Sequence, residues 1–247
     1  MPVSTIAYEG NSFDKFLIWT DEKQVLGSKI REMVKPGYET LLDVGAGTGD
    51  LTEHYAHLFR KIVLVEPASG NARLLATRFA NATLIVSKIE EFRPPDLAFD
   101  MIVASHVLIY VEHPMDAIDR LFSSLRPEGR LVIVMLDRNC AYLKFVDEFY
   151  ERVLGSQDPR LSRETHWEII AEHCVGRDIR INITQAVSML NVPSVEDFLS
   201  MNDFHFNTNV NDLDSGVLED MRIYLSGHRS NGNISLDIRH KIMVLEK

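Results

Sequence analysis

The stretch Leu41-Leu42-Asp43-Val44-Gly45-Ala46-Gly47-Thr48-Gly49-Asp50 decides how the rest of this chain is read. An apolar run of strand character ends directly in three glycines at alternate positions, and a helical pattern is expected to follow from about Asp50. Glycines at such a junction let the backbone turn tightly and approach a ligand closely. The spacing is GxGxG, whereas a dinucleotide site carries GxGxxG. Asp43 lies inside the strand end, two residues before the first glycine. A carboxylate there has little use beside a pyrophosphate; a ligand with an ammonium group and no phosphates does use one. The next apolar run, "VLVEP" at residues 63–67, ends in Glu66, where a carboxylate can take both hydroxyls of a ribose.

Further apolar runs at "ATLIVS", "FDMIVASH" and "GRLVIVML" read as buried strands, with helices starting near Ser69, Pro114 and Cys140. Alternating strands and helices imply a doubly wound parallel sheet with ligands at the carboxyl ends of its strands. One helical opening is expected from Ser12 to about Val34, closed by Lys35-Pro36-Gly37. Beyond Leu154 a helix near residues 163–174, a strand-like "RDIRINITQAVSML", a polar helix-rich insertion and a final strand "SLDIRHKIMVLEK" complete the chain. We therefore expect a single domain: an N-terminal helical lid (1–36), a ligand-binding core (37–190), an insertion (191–230) and a last strand (231–247).

Acids outnumber bases 36 to 26, a formal charge of −10, which disfavours nucleic-acid and anionic-membrane partners because both need clustered Lys and Arg. A cationic small substrate suits that field. Cys140 and Cys174 form neither a disulfide framework nor a metal-ligand spacing, and His54 and His57 read as a surface pair, so no metal is expected. No signal peptide is apparent and no apolar run approaches the roughly 20 residues that span a bilayer. A cytoplasmic monomer is the default expectation.

In that order and at usual spacings, "LLDVGAGTGD", the acid of "VLVEP", "FDMIVASHVLIYV" and "LRPEGRLVIV" resemble the class I S-adenosylmethionine-dependent methyltransferases. The resemblance implies a Rossmann-like α/β fold with a seven-stranded, mostly parallel sheet. It implies S-adenosylmethionine as cofactor and S-adenosylhomocysteine as product. Asp43 and the backbone of Gly45, Ala46, Gly47 and Gly49 would hold the methionine part. Glu66 and Pro67 would meet the ribose, and Ser87, Lys88 and Ile89 would lie near the adenine. Many members have an Asp facing the adenine amino group where "SKIEE" offers Lys88 and Ile89, which leaves that role to backbone groups and the Ser87 hydroxyl. Ser105 and His106, at the end of the fourth strand, would sit beside the cofactor's reactive end. His106 either positions ligands there or moves a proton.

A more distant likeness, to histamine N-methyltransferase, rests on Tyr8, "SFDKFL", "TDEKQ", "VLIYV", "YLKFVDEFYERVLG", "EDFLSMNDFHF" and "HKIMVLEK". It implies an aromatic-rich N-terminal helix, including Trp19, over the pocket, with Glu22 as the carboxylate that receives an amine. Tyr8, Tyr110, Tyr142, Phe145 and Phe204 would form the aromatic wall. His106 stands where that enzyme has a glutamine and Ile109 replaces a tyrosine, so another small amine or imidazole is expected instead of histamine. O-methylation of a small carboxylate or phenol, and a non-catalytic cofactor-binding subunit or sensor, are the alternatives. For Phe13, Phe16, Leu17 and Trp19 the plain alternative is an amphipathic helix packing its apolar side.

Overall fold

The structure, a computed structural model, describes residues 11–156, 166–177, 179–201, 206, 209 and 212–247. The chain divides into two compact units, each drawn from three separate stretches. One comprises Lys23–Leu136, Arg163–Ala186 and His240–Lys247; the other comprises Met1–Glu22, Asp137–Ser162 and Val187–Arg239.

The first unit is built on the sheet. Its strands are β1 (Thr40–Val44), β2 (Lys61–Val65), β3 (Thr83–Ile85), β4 (Phe99–Ser105) and β5 (Leu125–Asp137). Two longer strands, β6 (Arg180–Val192) and β8 (Asn233–Glu246), run on into the second unit, where the two-residue β7 (Arg229–Ser230) pairs antiparallel with β8. The strand order is β3-β2-β1-β4-β5-β8-β6, seven strands on the main path with β7 added at β8. All the pairings from β3 through β5 are parallel. From β1 the chain winds outward to β2 and β3, then crosses back to β4 and β5 on the other side. That reversal leaves a crevice at the carboxyl ends of β1 and β4, the place where open α/β sheets bind ligands.

Both faces of the central strands β1, β4 and β5 are buried, which is why their runs read as continuous apolar sequence. Successive side chains alternate between the faces. Leu42, Val44, Ile102, Ala104, Leu131 and Ile133 share one core with Ala117, Ile118 and Leu121 of α4 (Pro114–Ser123) and Ile170 and Cys174 of α6 (Trp167–Gly176). Leu41, Met101, Val103, Val132 and Val134 share the other with Leu26 and Ile30 of α2 (Glu22–Glu32), and with Tyr55 and Phe59. Asp43 falls on this second face, one alternation from Leu41. The helix α3 (Ser69–Arg78) follows β2 as expected. No helix starts at Asp50, however: two short 3-10 turns, Thr52–His54 and Ala56–Leu58, take its place.

In the second unit, α1 (Asn11–Trp19) ends at Thr20, so the single opening helix expected from sequence is two helices. The break has a long-range cause. Thr20 bridges Leu190, the Asp21 N–H donates to the Met189 carbonyl (3.3 Å), and the Asp21 carboxylate accepts the Met189 N–H (2.7 Å). The unit's interior is aromatic. Phe145 of α5 (Ala141–Leu154) lies 5.1 Å from Phe149, 5.1 Å from Phe198 of α7 (Val195–Met201) and 5.7 Å from Tyr224 of α8 (Ser215–Ser226), centroid to centroid. Tyr142 joins Phe16 and Phe198 to this set at 5.7 and 6.4 Å. The helices α7 and α8 provide the expected helical character before the last strand.

At the opposite end of β1 from the glycines, Asp100 ties β4 to the chain entering β1. Its Oδ2 accepts the Glu39 N–H (2.9 Å), the Thr40 N–H (2.8 Å) and the Thr40 hydroxyl (2.7 Å). Burial pushes its pKa up, but bonds from Thr40, Glu39 and Arg126 outweigh that and hold it below the ordinary value. The stabilisation is therefore present at neutral pH and lost as acid protonates the carboxylate. Asp100→Ala should lower the unfolding free energy at pH 7 by about 2–3 kcal/mol, read from the urea midpoint. A shift under about 0.5 kcal/mol would contradict this role for the residue.

Candidate functional site

Within the sheet unit, β1 ends in a loop that folds back on β2. The Gly45 and Ala46 N–H groups both donate to the Val65 carbonyl, at 2.8 and 3.2 Å. Gly45 has φ +71°, and a Cβ there would come within 2.6 Å of the Val107 side chain, so this glycine is required by packing. Gly47 differs: its φ is +59°, yet a Cβ would meet nothing within 4 Å. Open space at a left-handed glycine beside two acids is what close approach by a ligand needs. Arg78 of α3 braces the loop from behind, donating to the Thr48 carbonyl (2.8 Å) and to Asp50 (2.6 Å), and pairing with Glu53 (2.5 Å).

Two carboxylates flank the loop, both at most 6% exposed. Asp43 Oδ2 accepts the Thr52 hydroxyl and the Tyr55 hydroxyl, each at 2.7 Å; Oδ1 takes no bond from a described residue. Burial pushes the Asp43 pKa up to about 6, against the pull of the Thr52 and Tyr55 hydrogen bonds; Glu66 raises it further and Lys23 lowers it. Tyr55 is held well above its ordinary pKa by burial and by the Asp43 charge, so its hydroxyl stays a neutral donor. Glu66 Oε2 accepts the Gly47 N–H (2.9 Å), and Oε1 accepts the Ala68 N–H (3.0 Å) and, more weakly, the Asn71 amide (3.4 Å). The glycine loop and the second acid are thereby one hydrogen-bonded assembly.

This donor and acceptor set answers which ligand class fits. Asp43, Glu66, Asp50 and Glu53 surround the loop, and Arg78 is already committed to Asp50, Glu53 and a carbonyl. A phosphate would meet mostly negative charge here, whereas an ammonium and a diol would each find a carboxylate. Pro67 follows Glu66 at the surface, beyond the strand end.

The remaining expected residues divide. Ser105 ends β4 in the sheet unit and His106 follows it directly. His106 has the left-handed φ of +55°, unusual for a non-glycine residue, with its N–H donating to the Val134 carbonyl at 2.9 Å. Its ring centroid lies 5.4 Å from that of His240, a fully buried residue of β8 that the sequence did not single out. Tyr110 is half-buried on the 3-10 turn that follows. Ser87 donates its hydroxyl to the Lys88 carbonyl (3.0 Å), and Ile89 is buried in the sheet core, its carbonyl accepting from Arg120 (3.2 Å). Packing thus takes the Ile89 side chain, leaving backbone and the exposed Lys88 as the groups this segment presents.

In the second unit, Trp19 is half-buried at the end of α1, and Glu22 is 4% exposed, its N–H bonded to the Thr20 hydroxyl at 3.1 Å. Asp21 and Glu22 therefore separate: the first binds backbone, the second buries its carboxylate. Tyr142 and Phe145 are packed ring against ring in the aromatic core, so their contribution is first of all to that packing. Tyr8 and Phe204 lie outside the described residues. Sequence reasoning missed Thr52, Tyr55, Asn71, Arg78 and His240. The i, i+3 spacing of the Thr52 and Tyr55 hydroxyls was the available signal for that pair.

A family model described as a methyltransferase domain matches residues 18–180. The chain belongs to the methyltransferase-domain family. Among curated relatives, an uncharacterized methyltransferase of Mycobacterium bovis is 32% identical over 104 residues, 41% of this chain and 53% of that protein. A trans-aconitate 2-methyltransferase of Variovorax paradoxus is 34% identical over 104 residues, 41% of this chain and 40% of that protein. The chain spans about half the length of the curated relatives it matches. Among solved structures, the YcgJ protein of Bacillus subtilis aligns with a TM-score of 0.64 at 14% identity, covering 91% of this chain and 98% of its own. The plantazolicin methyltransferase BpumL, solved with SAH bound, aligns with a TM-score of 0.51 at 14% identity over 96% of this chain and 85% of its own. These structural likenesses show the Rossmann-like methyltransferase fold that the resemblance implied.

A buried acid with a raised pKa has a consequence for stability. The Asp43 contribution is fully present below the ordinary value of 3.8 and is lost as pH rises through about 6, so at neutral pH the ligand-free fold carries the cost of a buried charge. Asp43→Asn should therefore stabilise the ligand-free protein at pH 7 by about 1–3 kcal/mol, an advantage that disappears toward about pH 4. Thermal melts at both pH values check this; a less stable variant at pH 7 would contradict it.

Proposed function

We propose that this protein is an S-adenosylmethionine-dependent methyltransferase acting on a small molecule. The observation that carries the reading is the placing of two buried carboxylates, Asp43 on β1 and Glu66 just after the neighbouring parallel β2, beside an open glycine, Gly47, whose N–H Glu66 accepts. Asp43 would take the ammonium of the methionine part and Glu66 the ribose hydroxyls, with the open backbone at Gly47 letting the ligand approach. When bound, S-adenosylmethionine supplies a methyl group already activated on a sulfonium, so the protein's task is alignment and exclusion of water. Ser105, His106 and Tyr110 follow at the end of the neighbouring strand. There His106 is the side chain able to take up a proton.

For the acceptor we infer an amine- or imidazole-bearing molecule with Glu22 as its carboxylate. Three facts support this: Glu22 is buried, the unit that contains it has an aromatic interior, and the chain carries a formal charge of −10. Ring faces attract a cation by about 0.5–2 kcal/mol each, and a desolvated carboxylate adds to that. A second reading, methylation of a small carboxylate, draws on the relative named for trans-aconitate. A monomer acting without nucleic acid or membrane completes the proposal; no helix among the described residues is long and apolar enough to cross a membrane.

Two experiments test this. Gly47→Val should abolish calorimetric binding of S-adenosylhomocysteine, and unchanged affinity would overturn the cofactor assignment. A panel of amines, imidazoles, phenols and polycarboxylates should yield turnover for an amine or imidazole. Glu22→Gln should then raise the KM for that acceptor by about tenfold or more with little change for the cofactor. Turnover of carboxylates alone would replace the amine reading with the second one.

A further inference from the structure

Among the described residues, the Asp43 carboxylate is hydrogen-bonded by neutral groups only. The first 3-10 turn after the glycine loop, Thr52–His54, is closed by the Tyr55 N–H on the Thr52 carbonyl (3.1 Å), which holds these two residues, three apart, near one another. Both hydroxyls therefore reach one oxygen, Oδ2, from the same side, at 2.7 Å each. An arginine in their place would cancel the charge and compete with a cationic ligand; two hydroxyls orient the carboxylate and leave its negative charge intact. The Oδ1 atom takes no bond from a described residue, which makes it the oxygen presented to a ligand.

Resting on the cofactor reading above, we infer that Thr52 and Tyr55 are positioning residues that fix and sustain the Asp43 anion, and that they make capture of the cofactor's amino-acid end dependent on pH while leaving capture of its nucleoside end alone. The groups that face Asp43 are few: Thr52 and Tyr55 from the turns, Glu66 from the end of β2 and Lys23 from the start of α2. Burial raises the pKa of Asp43 to about 6, with Glu66 adding to the rise and the two hydroxyls and Lys23 opposing it. Above that value the anion is available to an ammonium; below it Asp43 is a neutral acid. Removing either hydroxyl takes away a bond to the charged form, so the transition moves to higher pH.

Two probes separate the ends of the ligand. S-adenosylhomocysteine carries the ammonium, and 5′-methylthioadenosine has the same nucleoside and thioether without it. Calorimetry from about pH 5 to about pH 8 should show S-adenosylhomocysteine affinity falling roughly tenfold per unit below about pH 6, a fall that 5′-methylthioadenosine does not share. Tyr55→Phe and Thr52→Val should each move that transition up by about one unit, weakening S-adenosylhomocysteine about twofold at pH 7 and nearly tenfold at about pH 5. Affinity for 5′-methylthioadenosine should be retained in both, and Thr52→Ser should restore the native profile. Profiles unchanged in Tyr55→Phe and Thr52→Val would overturn the inference. Equal loss of both probes in these variants would also overturn it, by making the hydroxyls structural. If wild-type protein binds neither probe, the cofactor reading itself fails.

Discussion

A single buried carboxylate organises this molecule. Asp43 sits on the central strand of a sheet whose faces are both apolar, on the side shared with Leu41 and Tyr55. An isolated charge cannot be kept there without donors. The chain meets that requirement immediately after the glycine loop, where two short turns replace the helix that periodicity suggests and bring two hydroxyls to one oxygen. The local fold after β1 is thus shaped by the need to keep an acid ionised at the sheet's ligand edge, at a cost in the stability of the ligand-free protein.

From that point the rest of the edge follows. The reversal of strand order between β1 and β4 opens the crevice, the left-handed Gly47 leaves it unobstructed, and Glu66 links the loop to β2 through the Gly47 N–H. Arg78 braces the loop without adding free positive charge, because its guanidinium is spent on Asp50, Glu53 and the Thr48 carbonyl. An edge lined in this way selects for cationic and hydroxylated groups over phosphates. The methyltransferase-domain family match agrees with that chemistry.

What was legible in the sequence was local. Fully buried parallel strands announce themselves as apolar runs, glycines at alternate positions mark backbone conformations that other residues avoid, and an acid at a strand end is visible without a structure. The doubly wound parallel sheet, and Asp43 and Glu66 as acids at its ligand edge, were expected from those signals. What was not legible depends on residues distant in sequence. The break between α1 and α2 is made by Met189 and Leu190, and the burial of Ile89 and the edge-on packing of Phe145 against Phe198 are settled by helices elsewhere in the chain. His240 reaches His106 because β8, the last strand in the sequence, lies next to β5 in the sheet. Apolar periodicity also fails to separate a helix from two 3-10 turns of similar composition, which is why Thr52 and Tyr55 escaped notice.

The most direct test of Asp43 as the organising group is a crystal structure of the protein with S-adenosylhomocysteine. The expected complex has the ligand's ammonium within hydrogen-bonding distance of Asp43 Oδ1, both ribose hydroxyls on Glu66, and the Thr52 and Tyr55 hydroxyls still on Oδ2. A ligand whose ammonium lies away from Asp43, or whose ribose is held by groups other than Glu66, would contradict it.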